Sequence, residues 1–194
     1  ISPYQDQIEA IILPKTQSFD FLATLAPMID FKNKLVPLIE TSRAIETVTQ
    51  IAAFKDVVGL FFGAADASAS LGCKLAWEPL LYARQRVVLA ASMFNLFTID
   101  APYFYIDKMA GLKEEAEAVK NLGFTGKAAI HPDQIDYINE AFSPTPEEKA
   151  EAKKVLEEYQ KSGGGAIKVD GQMIDEPIAE AMRLKITLGE DEKD

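Results

Sequence analysis

The chain has 194 residues, 48% hydrophobic and 26% charged, the composition of a soluble globular protein with enough length for a real core. Its formal net charge of −10 argues against a nucleic-acid surface as its main business, although basic side chains can still gather at a pocket for an anionic ligand. No apolar stretch reaches membrane-spanning length, and the single cysteine, Cys73, excludes an internal disulfide framework and fits a reducing, cytoplasmic setting.

The chain opens Ile1-Ser2-Pro3-Tyr4, with no initiator methionine and structure expected almost at once, which suggests that N-terminal sequence is missing. Five short apolar runs follow, at residues 10–13, 35–39, 57–62, 96–99 and 128–130. They are near-continuous rather than alternating, as strands buried on both faces should be. Helical spacing separates them. Ile45, Val48 and Ala52 share one face; Leu80, Ala83, Val87 and Met93 share another; Leu112, Ala116, Val119 and Leu122 form a third, with Gly123 as C-cap. Repeated strand–helix alternation predicts a parallel sheet.

Ionisable or polar residues follow every run: Pro14-Lys15, Glu40, residues 63–66 ending in Asp66, Asp100, and His131-Pro132. A β/α barrel builds its site at that end of every strand, whereas an open doubly wound sheet does so only near a switch point. The pattern predicts an α/β (β/α)8 TIM barrel, of which these are the last five units, over residues 1–143. Residues 144–194 read differently. Thr145-Pro146-Glu147-Glu148 is a capping box with proline at the first helical position, and the helix it opens runs to about Lys161. A glycine hinge at 162–165, a hairpin turning at Asp170-Gly171 and a last helix from about Pro177 to Leu188 predict a helix–hairpin–helix lid or oligomerisation arm, with a frayed acidic tail after it.

An acid at the exit of a buried strand is costly unless paired, and two acids on successive strand ends, Glu40 and Asp66, are placed to converge on one divalent cation. The plainer alternative, that both are helix N-terminal carboxylates, is open on position alone.

The motifs Leu38-Ile39-Glu40-Thr41, Phe62-Gly63-Ala64-Ala65-Asp66, Trp77-Glu78-Pro79-Leu80, Gly126-Lys127-Ala128-Ala129-Ile130-His131-Pro132-Asp133-Gln134-Ile135 and Asp170-Gly171-Gln172-Met173-Ile174-Asp175 occur together and in order. In these the chain resembles the citrate lyase β-subunit-like family, the malyl-CoA, citramalyl-CoA and citryl lyases of the HpcH/HpaI aldolase superfamily. The resemblance covers essentially the whole chain. It implies a β/α barrel, usually a homotrimer or a multiple of trimers, that cleaves a 3-hydroxyacyl thioester to an acetyl thioester and a 2-oxo acid. It implies Mg²⁺ on Glu40 and Asp66, with CoA as part of the substrate. Ala65 stands where the family usually has an acid, while the ligand itself is kept. A substrate-binding arginine is expected on the strand just upstream of Ile1. Asp175 matches a lid aspartate that exchanges a proton with the thioester enolate, reaching the site from a neighbouring subunit. Glu40, Asp66, Ala67 and Lys15 are the expected substrate contacts, and His131 and Pro132 line the CoA groove.

Each assignment has a structural counterpart. Asp-Glu-Pro before an amphipathic run is a good N-cap for Asp175. His131, the only histidine, is as readily a structural hydrogen bonder. Lys15 meets a CoA phosphate, a substrate carboxylate, or an ion pair within the barrel mouth. Asp100 reads as a supporting partner or a cap rather than a ligand, Cys73 as incidental, and Trp77, Phe61 and Phe62 as packing. The leading function is a Mg²⁺-dependent lyase of citramalyl-CoA or malyl-CoA. The alternatives are a citrate lyase β subunit acting on a carrier-bound citryl group, an aldolase of free 2-oxo acids, and a catalytically silent paralogue. Neither nucleic acid nor membrane is expected as a partner.

Overall fold

The computed structural model describes residues 7–29 and 34–187. The chain divides into two compact units, Ile1–Ile138 and Asn139–Asp194.

The first unit holds five parallel strands, β1 (Ala10–Leu13), β2 (Lys34–Ile39), β3 (Gly59–Phe62), β4 (Phe97–Asp100) and β5 (Gly126–Lys127), in the order β1-β2-β3-β4-β5. Each strand pairs with the next in sequence, with Ile12 opposite Val36, Leu38 opposite Phe61, Phe61 opposite Ile99 and Asp100 opposite Lys127. The crossovers carry α1 (Phe19–Ile29), the short pair α2 (Ser42–Glu46) and α3 (Val48–Ala52), then α4 (Ala64–Leu71) with α5 (Trp77–Ser92), and α6 (Met109–Leu122). Right-handed crossovers that step one strand at a time put these helices on one face of the sheet. Ile39, Leu60 and Phe62 are buried completely, with Leu80, Val87, Leu112, Ala116 and Val119 from α5 and α6. Alternation along the strands sends Leu38, Phe61 and Ile99 to half-buried positions, and Ile12 is exposed.

Three expectations are corrected. The apolar run 128–130 is not a strand: β5 ends at Lys127, and the Gln134 side chain takes the Ile130 N–H at 3.0 Å, turning the backbone out of the sheet and leaving Ile130 exposed. Ile45, Val48 and Ala52 do not share one helix, because Thr47 (φ −99°, ψ 15°) breaks the run into α2 and α3, its hydroxyl donating to the Arg43 carbonyl at 2.9 Å. Met93 is exposed, since α5 ends at Ser92 and Met93 is its C-cap. Gly123 does end α6, in the left-handed conformation at φ 102°.

Behind the sheet lies a charged cluster. Asp100, at the end of β4, is fully buried; its Oδ1 accepts from Arg84 Nε of α5 and its Oδ2 from Lys127 Nζ of β5, both at 2.8 Å. The Lys127 ammonium also donates to the Ala101 carbonyl and to Glu115 Oε1 of α6, each at 2.7 Å, so all three of its protons are used. The Arg84 guanidinium lies between the rings of Phe62 and Trp77, 5.2 and 4.9 Å from their centroids. A one-turn 3-10 helix, Pro132–Gln134, adds a second tie, Gln134 Nε2 donating to the Tyr103 carbonyl at 2.9 Å. The loop after β4 is thus fastened at Ala101 and at Tyr103.

In the second unit, which the helix α7 (Ile135–Phe142) enters, α8 (Pro146–Lys161) starts with the full capping box expected for Thr145 and Glu148. After three glycines with φ between 73° and 95°, the hairpin β6 (Ile167–Val169) and β7 (Gln172–Ile174) turns at Asp170 and Gly171, both with positive φ, and leads to α9 (Glu176–Thr187). Val155, Leu156, Tyr159, Val169, Ile174 and Ala179 form its core. The expected end of the last helix at Leu188 and the acidic tail lie outside the described residues.

Lys127 has no exposed side-chain surface, so removing its charge takes the cationic partner from Glu115 and leaves Asp100 with Arg84 alone. Lys127→Met is expected to lower unfolding stability by about 3–5 kcal/mol, read as a shift of the urea midpoint; a loss under about 1 kcal/mol would show that the cluster is not a structural tie.

Candidate functional site

The exits of β1, β2 and β3 meet at one point. Glu40 follows β2 directly and, by the period-two rule, projects to the same face as Leu38. It is 3% exposed. Its carboxylate caps no helix: α2 is capped by Thr41, whose Oγ1 accepts from the Ala44 N–H at 3.1 Å. Instead, Glu40 Oε1 accepts from the backbone N–H of Lys15, just past β1, at 2.7 Å. Asp66 sits in the first turn of α4, immediately after β3, where the helix dipole favours an acid. Lys15 joins the two. Its Nζ donates to Asp66 Oδ1 at 2.6 Å and stands 3.7 Å from Glu40 Oε1.

The charges follow. The hydrogen bond from Lys15, more than any other influence, holds the Asp66 carboxyl below the usual carboxylate range. The bond to Asp66 raises the Lys15 ammonium in turn. Gly63 explains how the strands approach so closely. A Cβ there would lie 2.6 Å from Glu40 Cβ and 3.0 Å from its Oε2, so the space that a side chain would fill belongs to Glu40.

These acids open into a groove of about 180 Å³ lined by Leu38, Glu40, Phe61, Asp66, Pro102 and Phe104. Pro102 and Phe104 belong to the loop that Lys127 and Gln134 fasten. The charged cluster of the fold therefore sets one wall of the groove.

The donors suit a small, hard divalent cation. Among the described residues no group of three or more His, Cys, Asp or Glu gathers, so the seat offers two carboxylates, Glu40 and Asp66. Mg²⁺ commonly takes only one or two protein carboxylates and fills its remaining positions with water and substrate oxygens. A positive group already contacts both.

The other expected site residues lie as follows. Ala67 is buried in α4, its N–H committed to the Gly63 carbonyl at 3.0 Å. His131 precedes the 3-10 helix and caps it, Nδ1 accepting from the Asp133 N–H at 3.3 Å; among the described residues neither His131 nor Pro132 lines the groove. Asp175 precedes α9 and caps it, Oδ1 accepting from the Ile178 N–H at 3.3 Å, the long end of the hydrogen-bond range. Phe61 is a groove wall as well as packing. Arg84 and Lys127 went unread, although Arg84 shares a helical face with Leu80 and Val87, a position where a charge requires a buried partner.

The profile of the HpcH/HpaI aldolase/citrate lyase family matches residues 4–132, well over half of the chain. The chain belongs to that family. The chain is similar to the human mitochondrial citramalyl-CoA lyase, 34% identical over 204 residues that cover 92% of this chain and 59% of that protein. A citrate lyase subunit beta-like protein of Mycobacterium tuberculosis is 33% identical over 175 residues, covering 87% of this chain and 62% of that one. Among solved structures, CitE from Mycobacterium tuberculosis in complex with magnesium, acetoacetate and coenzyme A is 31% identical with a TM-score of 0.82, covering 93% of this chain and 68% of that one. RipC from Yersinia pestis is 42% identical with a TM-score of 0.69 over 72% of this chain and 66% of that one. The chain thus spans roughly three fifths of the length of these curated relatives. Within this family chain, no helix among the described residues is long and apolar enough to cross a membrane.

Gly63→Ala tests the close approach. The added methyl meets the Glu40 stem, and we expect a loss of about 1–3 kcal/mol in urea unfolding. A neutral Gly63→Ala would mean that Glu40 is free to move away from β3.

Proposed function

We propose that this protein is a Mg²⁺-dependent carbon–carbon lyase that cleaves a short 3-hydroxyacyl-CoA, of the citramalyl-CoA or malyl-CoA type, to acetyl-CoA and a 2-oxo acid. The observation that carries this reading is the convergence of Glu40 and Asp66, from two successive strand exits, on one positive charge. The kinship with citramalyl-CoA lyase and the magnesium and coenzyme A bound to CitE support it.

In this reading Glu40 and Asp66 hold the cation. When bound, it supplies Lewis-acid stabilisation for the alkoxide and a template for the oxygens of the 2-oxo acid. The hydroxyl proton of the substrate passes to solvent, the C–C bond breaks, its electron pair passes to the thioester as an enolate, and a carbonyl remains on the acid fragment. Asp175 then gives the enolate carbon its proton; in condensation it removes the α-proton of the thioester. Its cap to Ile178 is long enough to be given up for that task. Lys15 faces the acid, and His131 and Pro132 border the CoA arm. Leu38 and Phe61 give the groove an apolar wall beside the two acids.

The five-stranded sheet is, in this reading, part of a (β/α)8 barrel. Sequential strand order, acids at the strand exits and the incompletely buried apolar face of Leu38, Phe61, Ile99 and Ile12 support that closure. Residues 144–194 serve as a lid or arm in a homotrimer, bringing Asp175 to a neighbouring copy.

Incubation with citramalyl-CoA, malyl-CoA and citrate, with and without Mg²⁺, followed by assay of free 2-oxo acid, tests the proposal. Release from a CoA thioester only with Mg²⁺ is expected; release from none of them at metal saturation ends it. Glu40→Gln and Asp66→Asn are each expected to cut turnover by at least about a hundredfold, the order seen when one electrostatic stabiliser is lost, with the fold retained by circular dichroism. Asp175→Asn is expected to stop deuterium exchange at the methyl of acetyl-CoA while 2-oxo acid binding persists; unchanged exchange would remove Asp175 from the chemistry.

A further inference from the structure

Lys15 combines three properties that share one explanation. Its backbone is left-handed, with φ 54°, a conformation unfavourable for a non-glycine residue. Its N–H is locked to the buried Glu40 Oε1 at 2.7 Å. Its ammonium bridges the two carboxylates that would hold a cation, at 2.6 Å from Asp66 and 3.7 Å from Glu40. Strained backbone persists where surrounding bonds over-determine it, and here those bonds deliver one positive charge to one place.

Resting on the metal-dependent reading above, we propose that Lys15 is a displaceable stand-in for the divalent cation. It holds the seat while the metal is absent and yields it when the metal binds. A carboxylate as buried as Glu40 needs a positive partner in both conditions, and without one it faces Asp66 as a second negative charge. The ammonium meets that need at low cost to metal binding, because the arm is loosely held. The Lys15 side chain is 60% exposed and that of Asp66 is 55% exposed, so their ion pair is weak and solvent lies open to the departing arm. The backbone bond to Glu40 does not have to break, so the main chain stays while the amine swings. Once released, the amine remains beside the groove, positioned for the carboxylate of an incoming 2-oxo acid. Cation then binds before acid, and the positive charge that guarded the seat becomes part of the acid's binding site.

Amine acetylation of the intact protein, read residue by residue by mass spectrometry, tests this on the unaltered chain. Saturating Mg²⁺ is expected to raise the labelling of Lys15 several-fold and to leave unchanged that of Lys154, whose ion pair with Asp170 lies outside the site. Lys15 labelling that ignores bound Mg²⁺ overturns the proposal. Calorimetric titration with Mg²⁺ separates this from the metal reading beneath it. Lys15→Met is expected to tighten Mg²⁺ by about twofold to fivefold, the worth of an exposed ion pair, whereas Glu40→Gln and Asp66→Asn abolish binding. If the acid variants bind Mg²⁺ as the wild type does, or the wild type binds none, the metal reading falls and this proposal with it. If the acid variants lose the ion while Lys15→Met binds it no more tightly, the stand-in alone falls.

Discussion

A carboxylate taken almost wholly out of water at the end of a parallel strand imposes conditions on everything around it. Glu40 has such a place, and a buried acid needs either a positive partner or donated hydrogen bonds to stay charged. Lys15 supplies both, its N–H as donor and its ammonium as counter-charge. That demand accounts for an otherwise unfavourable left-handed lysine after β1, and for a glycine at position 63, where a methyl would collide with the Glu40 stem. Asp66 enters as the second acid because α4 starts at once after β3 and turns its first-turn carboxylate toward the same ammonium. One buried negative charge thus sets the residue types at three strand exits.

The opposite side of the sheet meets a similar problem with a different solution. Asp100 is as buried as Glu40, yet its two oxygens are fully engaged by Arg84 and Lys127. That cluster is held tightly: the lysine spends all three protons, and the arginine lies over the Phe62 and Trp77 rings, although its buried Nη1 has no partner. The contrast with Lys15, whose arm is mostly in solvent, separates a structural charge cluster from the proposed cation seat within a single sheet. The two are joined mechanically, since the bonds from Lys127 and Gln134 fasten the backbone next to Pro102 and Phe104 on the groove wall.

The parts of the molecule legible in the sequence are those where local chemistry and fold agree. The runs at 10–13 and 35–39 are apolar, lie between turn signals and are strands; the capping box at Thr145 and the Asp170-Gly171 turn have chemistry that few other backbones use. Glu40 and Asp66 stand out because an acid directly after a buried run is conspicuous. The misreadings arise where a distant or side-chain bond outweighs the pattern. Apolar residues at 128–130 look like a strand until the Gln134 side chain takes the Ile130 N–H. Thr47 looks helical until its hydroxyl competes for the Arg43 carbonyl. The Arg84–Asp100–Lys127–Glu115 cluster draws on four separate elements, and no spacing along the chain announces which acid will meet which base. In sequence Lys15 is one strand-end charge among several; only three-dimensional placement puts it between the two acids.

The central claim is that Glu40 and Asp66 form a single cation seat. An anomalous-difference map from crystals of the protein soaked in Mn²⁺ addresses it most directly. The claim predicts one strong peak in contact with carboxylate oxygens of both residues, with the Lys15 amine moved aside. A map without that peak at saturating Mn²⁺, the lysine still bridging the two acids, would contradict it.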